Sequence, residues 1–123
     1  MAQDIVSDAL NMIMNARRVE KTQVSIKRKS KFLIQLFEMM KKKGHIDFKE
    51  EGNEVVVTIK DLHECRAIKP RYYAKVENLD KYLRRFLPSR NFGTVAISTS
   101  SGLIDQDKAY EKKIGGSLIA YFY

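Results

Sequence analysis

The sequence predicts an α+β fold built from two small, tightly packed α/β subdomains. Three observations predict it. Helical and strand-like hydrophobic periods follow one another along the chain. The first five elements, helix–strand–helix–strand–strand, close a complete unit near Lys60. After the polar crossing Asp61-Leu62-His63-Glu64-Cys65 the chain turns mostly to strands with short helices. An N-terminal αβαββ subdomain is therefore expected over 1–61 and a C-terminal, mostly β subdomain over 62–123.

The first helix is expected from Asp4 to Arg18. Ile5, Val6, Ala9, Met12, Ile13 and Ala16 recur near every 3.6 residues and make one apolar stripe. Asp4 can cap it, and Asn15, Arg17 and Arg18 are expected to end it. Thr22 to Ile26 alternates as a short strand. Ser30 can cap a second helix with the stripe Phe32, Leu33, Leu36, Phe37 and Met40. That helix stops at Lys41-Lys42-Lys43-Gly44, cations in the last turn and glycine just past it. Ile46 to Lys49 and Val55 to Ile59 read as strands around a turn at Glu50-Glu51-Gly52-Asn53.

In the second half, Ala67 to Val76 is extended, with Pro70 forcing an edge or a turn. Asn78 is placed to cap a helix from Leu79 to Phe86, which Leu87-Pro88 ends. Gly93 to Ile97 is a strand, and Asp105 caps a helix through Lys112. The apolar run Leu118 to Tyr123 is the last strand.

Charge is the strongest global signal. Twenty-three Lys and Arg against fifteen Asp and Glu give a formal net charge of +8 and a pI near 9.6. Such a surface attracts polyanions. The surplus is concentrated in residues 1–43, with ten cations against four carboxylates. There Lys27, Arg28, Lys29 and Lys31 surround Ser30 at a helix N-terminus, where the helix dipole also favours an anion. A solvated basic loop would have the same composition.

Several function classes are excluded or weakened. Cys65 is the only cysteine, so no intrachain disulfide forms, and the sequence fits a reducing compartment. His63 and Cys65 lack further thiols or imidazoles at metal-ligand spacing, and no metal or other cofactor is expected. No signal-peptide pattern follows Ala2-Gln3-Asp4, and no run nears the roughly 18 apolar residues of a membrane span. A soluble, cytoplasmic chain with no small-molecule substrate is expected. An enzyme using Thr99 or Ser100 as nucleophile would need a base that the sequence does not place beside them.

The stretch Ser98-Thr99-Ser100-Ser101-Gly102 is the principal candidate site. Four consecutive hydroxyls offer both donors and acceptors, and the glycine allows a turn and a close ligand. Such a platform suits phosphates, sugar hydroxyls and base edges, although a Ser/Thr-rich turn would look alike. Gly115 and Gly116 also permit close backbone approach. Arg71, Tyr72 and Tyr73 interleave cation and aromatic, the composition of a surface that stacks on bases, or of tyrosines flanking a core strand.

The run from Gly93 to Ile104, with Ala109 and Ile114-Gly115-Gly116 after it, closely resembles the C-terminal signature of the universal small-subunit ribosomal protein eight family. Asp4, Ile5 and Asp8, the Ser30-Lys31 helix start and Gly44 are similar to the rest of the family's pattern. Ile68-Lys69-Pro70-Arg71, Phe86-Leu87-Pro88 and Asn91-Phe92-Gly93 resemble its archaeal and eukaryotic branch, and the Ser-Thr-Ser motif beginning at Ser98 leans archaeal. Two departures are a short turn at Glu50 to Asn53 and Ser101 where a lysine is common.

The resemblance implies a structural, non-enzymatic component of the small subunit. It implies early binding of the central domain of small-subunit ribosomal RNA at an irregular stem, ribosomal-protein neighbours, and an RNA-binding C-terminal subdomain. The serine stretch and the glycines near Gly116 are expected at the RNA. The alternative is a free-standing regulator that binds its own messenger RNA with the same surface.

Overall fold

A computed structural model of the chain describes residues 5–27, 30–68, 72–88, 92–100 and 102–123. The expected contributions of Asp4, Arg28, Lys29, Arg71 and Ser101 lie outside the described residues. The chain is α+β and divides into two compact units, 1–66 and 67–123.

The first unit contains α1 (Ile5–Arg18), β1 (Gln23–Ile26), α2 (Lys31–Lys42), β2 (Ile46–Glu51) and β3 (Glu54–Ile59). Its antiparallel sheet has the order β1-β3-β2. β3 is central, and its Val55 and Val57 are fully buried, whereas Val56 and Thr58 on the alternate face are half-buried. α1 buries Val6, Ala9, Ile13 and Ala16 of its expected stripe together with Leu10 and Met14, whereas Ile5 is half-buried and Met12 exposed. α2 buries Leu33, Leu36, Phe37 and Met40 and leaves Phe32 half-buried. Phe37 meets Phe48 of β2 with ring centroids 5.9 Å apart.

Local chemistry fixes the ends of α2. The Ser30 hydroxyl accepts the Leu33 N–H at 3.2 Å, satisfying one orphan donor of the first turn. Gly44 follows with φ +85°, and the His45 N–H returns to the Met40 carbonyl at 3.1 Å. α1 ends at Arg18 as expected, but Asn15 lies inside it rather than ending it, and Glu20 takes the left-handed φ of +61° that turns the chain.

The β2–β3 hairpin is also longer than its sequence suggests. Register runs to Glu51 opposite Glu54, leaving only Gly52 and Asn53 as the loop. Gly52, with φ +60°, provides the positive φ that a two-residue hairpin loop needs. Ladder pairing therefore overrides the weak strand propensity of the glutamates.

Residues 61–65 belong to the first unit in this division. Leu62 and Cys65 are buried, the Arg17 Nε–H donates to the Leu62 carbonyl, and the Cys65 N–H reaches Met14 Sδ at 3.3 Å. Cys65, expected half-buried, is 1% exposed. Burial, aided by the neighbouring Glu64 charge and opposed by Arg66, pushes its thiol up to about 12. It is a packing residue, not a nucleophile.

The division falls at the end of β4 (Cys65–Ala67). The second unit continues with β5 (Tyr73–Ala74), a 3₁₀ turn at Val76–Asn78, α3 (Leu79–Phe86), β6 (Thr94–Thr99), β7 (Gly102–Ile104), α4 (Gln106–Lys112) and β8 (Gly116–Phe122). β8 pairs antiparallel with β5 and β6, and β6 with β7. Val95, Ile97, Ile104 and Leu118 of this sheet share a core with Leu79 and Leu83 of α3 and Ala109 of α4.

Asn78 makes no side-chain cap: the preceding 3₁₀ turn leads directly into α3. Leu87 ends that helix in an extended conformation, as a residue before proline favours. Asp105 caps α4 as expected, accepting the Lys108 N–H at 2.8 Å. The buried Gln106 amide then ties α4 to β6, its Oε1 accepting from Val95 N–H at 3.0 Å and its Nε2 donating to the Gly93 carbonyl at 2.9 Å.

Candidate nucleic-acid interface

The hydroxyl stretch is less a loop than the end of a hairpin. Ser98 and Thr99 continue β6 in register with Leu103 and Gly102 of β7. Ser100 lies exposed in the turn between Thr99 and Gly102. The Thr99 hydroxyl donates to the Gly102 carbonyl at 2.9 Å and closes the hairpin. Gly102 takes φ +112°, a backbone that side chains rarely tolerate, while its α-carbon faces open space.

Strand register builds a platform from this hairpin. Tyr73 of β5 stands opposite Ser117 of β8, Ser117 opposite Ser98, and Ser98 opposite Leu103. Directly opposed residues share a face, with Cβ atoms about 4.5–5.5 Å apart. Tyr73, Ser117, Ser98 and Leu103 therefore form one row across four strands. Ile97 and Leu118, one residue away, point to the opposite face and the core. Tyr73 is 68% exposed, and both serines are half-buried. Among the described residues, the hydroxyls of Ser98, Ser100 and Ser117 have no hydrogen-bond partner.

The two glycines after α4 bring these strands together. A Cβ on Gly116 would lie 2.2 Å from the Ser98 carbonyl oxygen, and one on Gly115 2.2 Å from that of Ala74. The close approach they permit is thus between β8 and its neighbours, and it sets the spacing of the serine row.

Tyr72 and Tyr73 have different surroundings. Tyr72 is half-buried, its ring 5.6 Å from that of Tyr82 and 5.4 Å from the Arg85 guanidinium carbon. Tyr73 has the open ring. Sequence reasoning missed Ser117 and named Tyr73 only within the Arg71–Tyr73 stretch, because only the register of β8 makes the two neighbours of Ser98. The single serine between Gly116 and Leu118 was the available signal.

The remaining expected residues lie in the first unit, where Lys27 and Lys31 are exposed on either side of the α2 cap. The Ser30 hydroxyl is engaged by Leu33, so it serves the helix. Among the described residues no group of His, Cys, Asp and Glu could hold a metal ion, and no helix is long and apolar enough to cross a membrane.

Against known proteins, the chain matches the family described as ribosomal protein S8 over residues 4–123. It is 40% identical to the small ribosomal subunit protein uS8 of Nanoarchaeum equitans, over 100% of both chains. It is 36% identical to that of Neurospora crassa, over 97% of this chain and 96% of the relative. It is 35% identical to that of Methanococcoides burtonii, over 98% and 97% respectively. Archaeal and fungal relatives accord with the branch that the sequence motifs indicate.

Proposed function

The chain belongs to the ribosomal protein S8 family, and on that premise we propose that it binds the central domain of small-subunit ribosomal RNA through its serine row. Membership makes it a structural constituent of the small ribosomal subunit rather than an enzyme, ribosome-bound, with ribosomal RNA and ribosomal proteins as partners. The finer assignment, to an irregular stem of the central domain, is our own.

The observation that carries it is the row Tyr73–Ser117–Ser98–Leu103 with its unpartnered serine hydroxyls. A regular A-form helix hides its base edges in a deep, narrow major groove, so sequence reading needs a distorted stem with splayed bases. A splayed base can stack on the open ring of Tyr73. The hydroxyls of Ser98, Ser100 and Ser117 can then donate to and accept from base edges and 2′-OH groups. Thr99 and Gly102 hold the hairpin, and Gly115 and Gly116 hold the strands. Lys27 and Lys31, with the cations at 28 and 29, supply salt-dependent affinity for phosphates. Arg71 adds a cation next to the tyrosine pair in sequence.

Filter binding to a transcript of the central-domain stem and to a scrambled duplex tests the assignment. Ser100→Ala should weaken stem binding by about 1–3 kcal/mol and leave the scrambled duplex unaffected. Equal loss on both RNAs, or none, would remove the hydroxyls from recognition. Lys27→Gln should weaken both RNAs alike and lower the salt slope by about one ion.

A further inference from the structure

We propose that the outer side of α3 is a second RNA-contact surface, on which Arg85, held by the rings of Tyr72 and Phe86, grips a backbone phosphate. The inference rests on the ribosomal RNA assignment above and extends it to another side of the second unit. α3 buries Leu79 and Leu83 and leaves Lys81, Arg84 and Arg85 exposed. The three cations are held differently. Arg84 is committed to Asp80, one turn earlier, at 3.0 Å. The Lys81 ammonium lies over Tyr82, 5.8 Å from the ring centroid.

Arg85 has aromatic neighbours in place of a carboxylate. Its guanidinium carbon lies 5.4 Å from the centroid of Tyr72 and 5.8 Å from that of Phe86. Contacts with rings restrain the side chain yet leave its N–H donors unused. Among the described residues no acceptor takes them. A restrained guanidinium with a free donor fork is matched to a phosphate, which it can bind through two parallel hydrogen bonds. Exposed Lys75 and Lys81 add positive charge nearby in sequence, and interleaved rings and cations are the composition of nucleic-acid grooves.

This surface is on the far side of the sheet from the serine row. Tyr72, Tyr82 and Phe86 pack on the core that contains Ile97 and Leu118, whose side chains point away from Ser98 and Ser117. One short stem on the serine row would not be expected to reach Arg85. A larger ribosomal RNA fragment, which surrounds more of the protein, would.

The test uses the full chain, the minimal stem and a transcript of the whole central domain, with Kd measured at several salt concentrations. Arg85→Gln should bind the stem as wild type does. On the whole domain it should bind about fivefold more weakly, with a salt slope lower by about one. Unchanged affinity on the whole domain would overturn the proposal. So would equal loss on both RNAs in a variant whose near-ultraviolet circular dichroism is native, because Arg85 would then act at the stem. If Gln disturbs that spectrum, Arg85→Lys repeats the test with the ring contacts kept. Lysine should keep the slope and lose part of the affinity on the whole domain, and full affinity would overturn the two-bond grip. A lowered affinity for an oligoglutamate peptide, with RNA binding intact, would assign the surface to a protein and overturn the proposal. Failure of wild type to prefer the stem over a scrambled duplex would instead bring down the ribosomal RNA assignment itself.

Discussion

The protein contains two hairpins that share a loop length and differ in chemistry. One joins β2 and β3 through Gly52 and Asn53, with Glu51 opposite Glu54. The other joins β6 and β7 through two residues, with Thr99 opposite Gly102. Each has a glycine at positive φ, +60° at Gly52 and +112° at Gly102. The first carries Glu50, Glu51 and Glu54 around its tip, whose charges repel phosphates. The second carries neutral hydroxyls and continues into a row that includes an open tyrosine ring. Turn geometry alone therefore does not select RNA. On the proposed assignment, selection comes from the side chains that the flanking ladder presents, and from how closely the next strand lies.

That account predicts unequal responses to substitution at glycine. Gly116→Ala should destabilise the fold by about 3 kcal/mol, the upper end of overpacking costs, because its Cβ meets the Ser98 carbonyl. Gly52→Ala, with nothing near its Cβ, should cost only the left-handed backbone penalty of about 1–2 kcal/mol. Urea unfolding measures both. A tolerated Gly116→Ala would mean that β8 is not held close to Ser98.

The next contrast concerns affinity. Ser98→Ala should weaken binding to the ribosomal stem by about 1–3 kcal/mol. Glu51→Gln, at the corresponding end of the other hairpin, should leave it unchanged or slightly tighter. Equal losses in a titration of the two variants would end the distinction between the hairpins.

A smaller effect separates a packing residue from the polar platform. The Cys65 thiol ionises near 9 in an unfolded chain and near 12 in the native one, where burial keeps it protonated. Its contribution to stability should be complete below pH 9 and decline as pH rises from 9 towards 12, since only the unfolded state then loses the proton. Urea titrations at pH 8 and pH 10.5 should show that decline in the wild type, and Cys65→Ala should show less of it.

Much of the fold was legible because local rules and tertiary packing agree in the helices. Most of the apolar stripes of α1 and α2, the Ser30 and Asp105 caps and the stop at Gly44 were readable from the sequence and are present. Strand ends were less legible. Glu50 and Glu51 read as a turn because charged residues disfavour strands, yet the ladder holds them. Ser98 and Thr99 read as a loop for a similar reason. The family signature pointed to the serines. The row itself could not be read, because register is a tertiary property, and the irregularity between Ala96 and Ile97 shifts the β6–β8 pairing by one residue. Without that shift Ser98 would stand opposite Leu118 rather than Ser117.

The most direct measurement is ultraviolet crosslinking of the protein to small-subunit ribosomal RNA, with mass spectrometry of the attached peptides. Crosslinks at Tyr73 or between Ser98 and Gly102, with none between Glu50 and Glu54, are what the comparison of the two hairpins predicts. Crosslinks concentrated on the glutamate hairpin, with the serine hairpin unmodified, would contradict it.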